Sequence, residues 1–433
     1  MVERDGAGIN PGESRMSGAE EMGLAQGHGA KAVVPPSRGY EARMVLITSM
    51  VVSTVAADRY ATGYLGPYLV EAFNLSKAQL GAIYSIQAVA VALAGYAVGF
   101  MSDRLGKQTS VLVPLLLVAA VASIGVLPVQ AYFMLLAVRA VSGCALGGIV
   151  PVTQAITTSQ STPTKVGRNI AIQTLVLFLV SQMLAPIVQT RVADAWGWQA
   201  GYAVSAIPFV LMAILLGRFV KDRPRTPASA GAPEAASVKL SPEVRRIVFL
   251  CMVISAGFTF WAIIHSTFLA LYLVEKLGYT PVAAGNTMGM LGIAGAIGGI
   301  GLPLLSDYIG RRRALILGML LAASLPVTLL TWSGPSWGLH ALLFLGWIAM
   351  GSLPIHAVLV PSDTVPAARI ASTVALILAV GEILGGVVGP IAGGALADRF
   401  GAQTPFQVAF ATALLSLVCA LLLPKWQKKN APA

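Results

Sequence analysis

Twelve apolar stretches follow one another along the chain, near residues 44–70, 79–102, 109–127, 132–158, 168–190, 199–219, 246–274, 281–305, 313–332, 337–361, 370–396 and 405–424. A bilayer core is crossed by about 20 apolar residues of helix, so each stretch reads as a membrane span. Most connections are short. The exception is 220–245, rich in Pro, Ala and charge, which reads as a cytoplasmic linker between two halves. The pattern predicts an all-α membrane protein of two six-helix bundles. It runs as a polar tail over 1–43, a first bundle over 44–219, the linker, a second bundle over 246–424 and a short tail over 425–433. Residues 1–43 mix Gly, Glu and Arg without the apolar core of a signal peptide, and read as a disordered cytoplasmic tail.

Composition sharpens this reading. The 433 residues are 56% hydrophobic and 11% charged, with a mean hydropathy of +0.77. A soluble domain carries about 25% charged residues, so the solvent for most of this surface is lipid. A net charge of +11 could point to nucleic acid, but the basic residues sit in short loops between apolar runs. With both termini inside, the inside segments hold 23 of the 29 Lys and Arg, and the outside loops hold only Lys77, Arg191, Lys276 and Arg399. The positive-inside rule therefore puts both termini in the cytoplasm of a cell inner-membrane protein. Cys144, Cys251 and Cys419 lie in separate apolar runs, which argues against a disulfide framework or a metal site. The chain carries no phosphate-binding Gly-Lys-Ser/Thr loop and no nucleophile–base arrangement. An enzyme is not expected, nor a cofactor.

Several signatures recur at one offset of 204 residues. Asp103-x-x-Gly106-Lys107 returns as Asp307-x-x-Gly310-Arg311, Pro186-Ile187 as Pro390-Ile391, Asp194-x-x-Gly197 as Asp398-x-x-Gly401, and Gly147 as Gly351. A shared offset means a duplicated six-span unit, the design in which substrate sits near the midplane between the halves.

The first loop copy, Gly99-Phe-Met-Ser-Asp103-Arg104-Leu-Gly106-Lys107, resembles the loop 2–3 signature of the major facilitator superfamily. Arg139-Ala-x-x-Gly143 is similar to that superfamily's span-4 arginine motif. Gly385-x-x-x-Gly389-Pro390 resembles its Gly-Pro motif, though on span 11 instead of span 5. The resemblance covers residues 44–424 and implies the major facilitator fold, alternating access and a conformational latch. The latch would be built from Gly99, Asp103, Arg104, Gly106 and Lys107, with Asp307, Gly310 and Arg311 as its second copy. Asp58-Arg59 on span 1 is similar to the anion–cation symporter family, and Leu146-Gly147-Gly148 looks more like the aromatic acid–proton symporters. Leu146 stands where the former usually have Glu, and Val55 where the latter usually have a second Asp.

A charge at mid-bilayer costs at least about 2.5 kcal/mol, so intramembrane ionisable groups mark function. They are Asp58, Arg59, Arg139, His265, His356 and Glu382. Thr54, Asp58 and Thr62 form one polar stripe at helical spacing. Two arginines against one aspartate in the first half leave a positive excess, which favours an anionic substrate held by Arg59 and Arg139. Trp261, His265 and Tyr272 supply an aromatic face for a ring-bearing ligand. The alternatives are a structural ion pair of Asp58 with Arg139 or Arg59, and histidines used only in packing. Asp58 and Glu382 are the acids left to carry a proton. The expected activity is proton-coupled uptake of an aromatic or sugar-type carboxylate by a monomer in the lipid bilayer. The competing reading, suggested by the Gly-Pro motif and Glu382, is proton-driven export of lipophilic or drug-like compounds.

Overall fold

The computed structural model describes residues 37–105, 108–222 and 240–425, with the side chains of 99–105 left aside. Among the described residues, twelve long helical segments run back and forth. In the first half they are α1 Arg38–Tyr64, α2 Lys77–Leu105, α3 Gln108–Ile124, α4 Tyr132–Gln160, α5 Pro163–Trp196 and α6 Trp198–Phe219. In the second half they are α7 Pro242–Leu277, α8 Pro281–Ile309, α9 Arg311–Thr331, α10 Ser336–Thr364, α11 Ala367–Phe400 and α12 Thr404–Leu422. Eleven are long and apolar enough to cross a membrane. The remaining one, α3, is an apolar helix of only 17 residues, so the expected twelve spans appear among the described residues as eleven and one shorter helix.

Local chemistry explains the boundaries. Ser37, Ser241 and Thr280 cap α1, α7 and α8, each accepting from an amide three residues on. The first span was expected to run to residue 70, but the helix ends at Tyr64 and a separate short helix, Gly66–Phe73, follows. Pro67 lacks the N–H that would continue α1, so the chain restarts there. The Asp-x-x-Gly repeats are helix stops: Gly197, Gly310 and Gly401 have φ of 89, 91 and 102°, backbone that L side chains rarely adopt.

Two apolar cores show how the halves meet. One gathers residues near the terminal end of the first half, among them Met44, Val51, Leu112, Ile156 and Leu216. The other is continuous across both halves and takes in Ala61, Tyr64, Leu80 and Phe178 together with Trp261, Leu291 and Trp347. The halves are thus packed together at mid-span and at the end away from the termini. Small residues permit this: a β-carbon on Gly63 would collide with the Ser266 carbonyl, and one on Gly292 with the backbone at Gln182. The glycine face of α8 (Gly285, Gly289, Gly292, Gly295 and Gly299) meets Thr190, Ile187, Gln182 and Phe178 of α5. Large apolar side chains such as Leu93, Val121, Phe133 and Ile207 point outward, as a lipid-facing surface requires.

Three helices widen into π-turns at mid-span: Phe178–Leu184 in α5, Ile355–Leu359 in α10 and Glu382–Val388 in α11. Such turns cluster at functional sites.

Candidate functional site

Consecutive residues on a helix point about 100° apart, and α1 uses this to send Asp58 and Arg59 to different places. Asp58 turns into the first bundle and is wholly buried. One Arg139 nitrogen lies 3.1 and 3.2 Å from its two carboxylate oxygens. Gln87 and Ser142 donate to the same carboxylate at 3.0 and 2.9 Å. The second terminal nitrogen of Arg139 donates to the Asp58 carbonyl at 2.6 Å and to the Gln87 side-chain oxygen at 2.7 Å. Below, the guanidinium lies 4.9 Å from the centre of the Tyr202 ring, whose hydroxyl donates to Thr62. With 1% of Arg139 exposed, a substrate carboxylate has no approach to it in this conformation.

Arg59 turns the other way. It forms an ion pair and hydrogen bond with Glu382, which comes from the opposite half, on the first residue of the α11 π-turn. The two side chains are 23% and 32% exposed. Tyr84 lies beneath the guanidinium at 5.9 Å. The positive excess counted along the sequence is therefore closed in space by an acid 323 residues away. On the next residue, Tyr60 opens a cleft between the halves. Tyr64, Ser181, Gln182, Ser266 and Trp347 complete its polar and aromatic lining, and it is narrow in this conformation, with a cavity volume of about 20 Å³. The Trp347 indole donates to Gln182 at 3.2 Å, tying α10 to α5 across the cleft.

The remaining expected residues lie elsewhere. Trp261 and His265 are fully buried within the second half. The His265 Nδ1 lies 2.7 Å from the Trp261 carbonyl, so Nδ1 carries the proton and Nε2 is left as an acceptor without a partner. Trp347 stands between this pair and the cleft, 5.5 Å from Trp261 and 6.4 Å from His265 between ring centres. Tyr272 is seven residues further along α7, roughly 10 Å away by helical rise. Its hydroxyl already donates to the Leu329 carbonyl. His356 sits edge-on to Phe258, buried in the second half. Of the latch, the side chains of Gly99, Asp103, Arg104, Gly106 and Lys107 lie outside the described residues. In the second copy Arg311 bonds Asp307 at 2.6 Å and Asp363 at 3.1 Å, joining the ends of α8, α9 and α10 within one half. Gln87, Ser142, Tyr202, Tyr84 and Gln182 were not singled out in the sequence. Gln87 and Gln182, amides inside apolar runs, carried the signal that could have found the first and last of these contacts.

Comparison with known proteins fixes the setting. The family model described as Major Facilitator Superfamily matches residues 48–383 and 304–432. The chain belongs to the Major Facilitator Superfamily. This facilitator is 24% identical to the gentisate transporter of Corynebacterium glutamicum over 86% of its own length and 85% of that protein's. It is 27% identical to the multi-drug resistance efflux pump PmrA of Streptococcus pneumoniae, over 80% and 87%. A crystal structure of the D-xylose-proton symporter shares the fold, with a TM-score of 0.74 at 17% identity, covering 89% of this chain and 98% of that one. The facilitator is thus a multi-pass membrane protein and a secondary transporter of small molecules, not an enzyme.

Proposed function

We propose that the transporter takes up an organic carboxylate, of aromatic or sugar type, together with a proton. The observation that carries this reading is the partly exposed ion pair of Arg59 with Glu382 across the two halves, one residue before Tyr60 of the cleft lining. A substrate carboxylate competes with Glu382 for the same guanidinium. Once displaced, Glu382 is an unpaired carboxylate inside the membrane, at a cost of at least about 2.5 kcal/mol, unless it takes a proton. Either Arg59 faces Glu382, or Arg59 faces the anion and Glu382 is protonated. Both arrangements are neutral, whereas the anion alone leaves one uncompensated negative charge. Coupling follows from that balance.

In this scheme Arg59 binds substrate and Glu382 carries the proton. Trp347 and Gln182 form the cleft wall, with Trp261 and His265 stacked behind it. Tyr272 is assigned to the aromatic packing of the second half. Asp58 and Arg139, whose bonding capacity is largely spent on each other and on Gln87 and Ser142, hold α1 against α4 and aim Arg59 outward. The likeness to a gentisate transporter supports the aromatic branch. The excess of Lys and Arg on the terminal side supports cytoplasmic termini in a cell inner membrane, where the carrier works as a monomer in this scheme. With the halves packed together at the end away from the termini, access to the cleft in this scheme is from the cytoplasm. The two latch copies, Asp103 to Lys107 and Asp307 to Arg311, brace the cytoplasmic loops and act in the opposite, outward-open state.

The likeness to a multidrug efflux pump favours a second reading, in which Glu382 drives the export of lipophilic compounds by antiport. Proteoliposomes with an acidic exterior separate the two. Uptake of aromatic and sugar acids that rises with the inward proton gradient supports symport. Gradient-driven extrusion of lipophilic cations, with no acid uptake, overturns it.

A further inference from the structure

The repeated Asp-x-x-Gly turns on α5 and α11 have no part in the transport scheme above, yet one of them closes a contact between the halves. A helix begins with four backbone N–H groups that lack intrahelical partners. At the start of α2 each has a distinct partner. Ser76 and Gln79 form a reciprocal capping box, the Ser76 amide donating to the Gln79 side chain at 2.9 Å and the Gln79 amide to the Ser76 hydroxyl at 3.2 Å. The two amides between them are satisfied from the other half. Lys77 N–H donates to one oxygen of Asp398 at 2.8 Å and Ala78 N–H to the other at 2.9 Å.

The approach is built in. A β-carbon on Gly394 would collide with the Lys77 carbonyl, and one on Gly81 with the Pro390 carbonyl, so α2 and α11 meet backbone to backbone. Beside this contact the Lys77 ammonium lies 3.2 Å from Glu275 at the end of α7. The repeat mate Asp194 is placed differently. Its nearest described partner is the Tyr68 hydroxyl at 3.5 Å, in its own half, and the first turn of α8 is capped by Thr280. The device is therefore one-sided.

We propose that the Asp398 carboxylate is a state-selective lock: by capping the first turn of α2 it stabilises the conformation closed at the end away from the termini. When the halves part there, two charge-assisted bonds and a favourable helix-dipole interaction are lost together. The lock is indifferent to what is carried, so it stands or falls separately from the substrate assignment.

Two exposed positions at that end, Glu71 in the first half and Gln403 in the second, take spin labels as Glu71→Cys and Gln403→Cys. The native Cys144, Cys251 and Cys419 are first replaced. Pulsed dipolar spectroscopy then reads the closed and open distances. Asp398→Ala lowers the closed-to-open ratio by about tenfold, the loss of a good cap with its charge, and Asp398→Asn by less. Lys77→Pro removes one donor at a position where proline suits a first helical turn, and also lowers the ratio, beyond the effect of Glu275→Gln alone. Asp194→Asn leaves it unchanged. An unaltered distance distribution in both Asp398→Asn and Lys77→Pro overturns the lock. So does an equal response to Asp194→Asn.

Discussion

In a Glu382→Gln variant Arg59 keeps its charge and loses the carboxylate that faces it from the opposite half. Two effects follow, and they go in opposite directions. The substrate anion no longer displaces a competitor. Since the pair is partly exposed, its own worth is about 1 kcal/mol, so affinity for the carboxylate rises by up to about fivefold. The proton, however, has lost its carrier. One glutamate to one arginine implies one proton per anion, and each pH unit of gradient supplies about 1.4 kcal/mol, or tenfold accumulation. With two units across a proteoliposome, the wild-type protein approaches a 100-fold internal excess of labelled substrate. The variant equilibrates substrate to equal concentrations on the two sides, while counterflow exchange of labelled for unlabelled acid continues. The decisive measurement is accumulation against the imposed gradient, set beside counterflow in the same vesicles. Accumulation in Glu382→Gln that still climbs tenfold per unit would refute the competition scheme and move the proton to another acid.

Asp58→Asn tests which acid that is. The scheme expects normal gradient-driven accumulation per folded molecule, but a large loss of stability of about 3–5 kcal/mol as Arg139 is left buried without its charge partner, read as a lowered melting temperature. Lost accumulation at full stability would return the proton to Asp58. Arg59→Leu removes the binding charge and abolishes both uptake and counterflow, whereas Arg59→Lys retains a weak activity because the planar fork is gone. Trp347→Phe deletes the bond to Gln182 and, at about 1 kcal/mol, raises KM roughly fivefold if that indole touches substrate in the loaded state. An unchanged KM assigns it to the wall alone. Gly63→Leu wedges α1 off Ser266, so maleimide labelling of a cysteine introduced at Ser266 should increase from the side away from the termini. Unaltered labelling would contradict the closure described for this conformation.

The fold was legible because its causes are local. Hydropathy marks each span, and the offset of 204 residues pairs helix stops that turn out to share one backbone geometry at Gly197 and Gly401. The break at Pro67 was legible too, as a residue without a donor, but apolar side chains carry on past it and hid the end of α1. The site was legible as a set of residue types and not as a set of pairs. Asp58 and Arg59 are neighbours in sequence and point to different partners. Arg59 meets Glu382 only because α1 and α11 face each other across the halves, and no spacing along the chain encodes that meeting. Counting charges within the first half therefore left an excess that the second half removes. His265 and Trp261 share one helical face at their spacing of four, but a face does not reveal that Trp347 from α10 stands between them and the cleft.

The widened turns at Phe178–Leu184 and Glu382–Val388 begin 204 residues apart, the same distance that separates the loop signatures. An irregularity shared at the duplication interval is older than the duplication: the ancestral six-helix unit already had a loosened turn at this depth. What differs is the residue that opens it, a phenylalanine in one copy and an acid in the other. Duplication supplies two equivalent positions that have since diverged, one filling space against α8 and the other bearing a charge. Exchanging the two residues, Phe178→Glu with Glu382→Phe, asks whether the ionisable role belongs to the position or to the half that bears it.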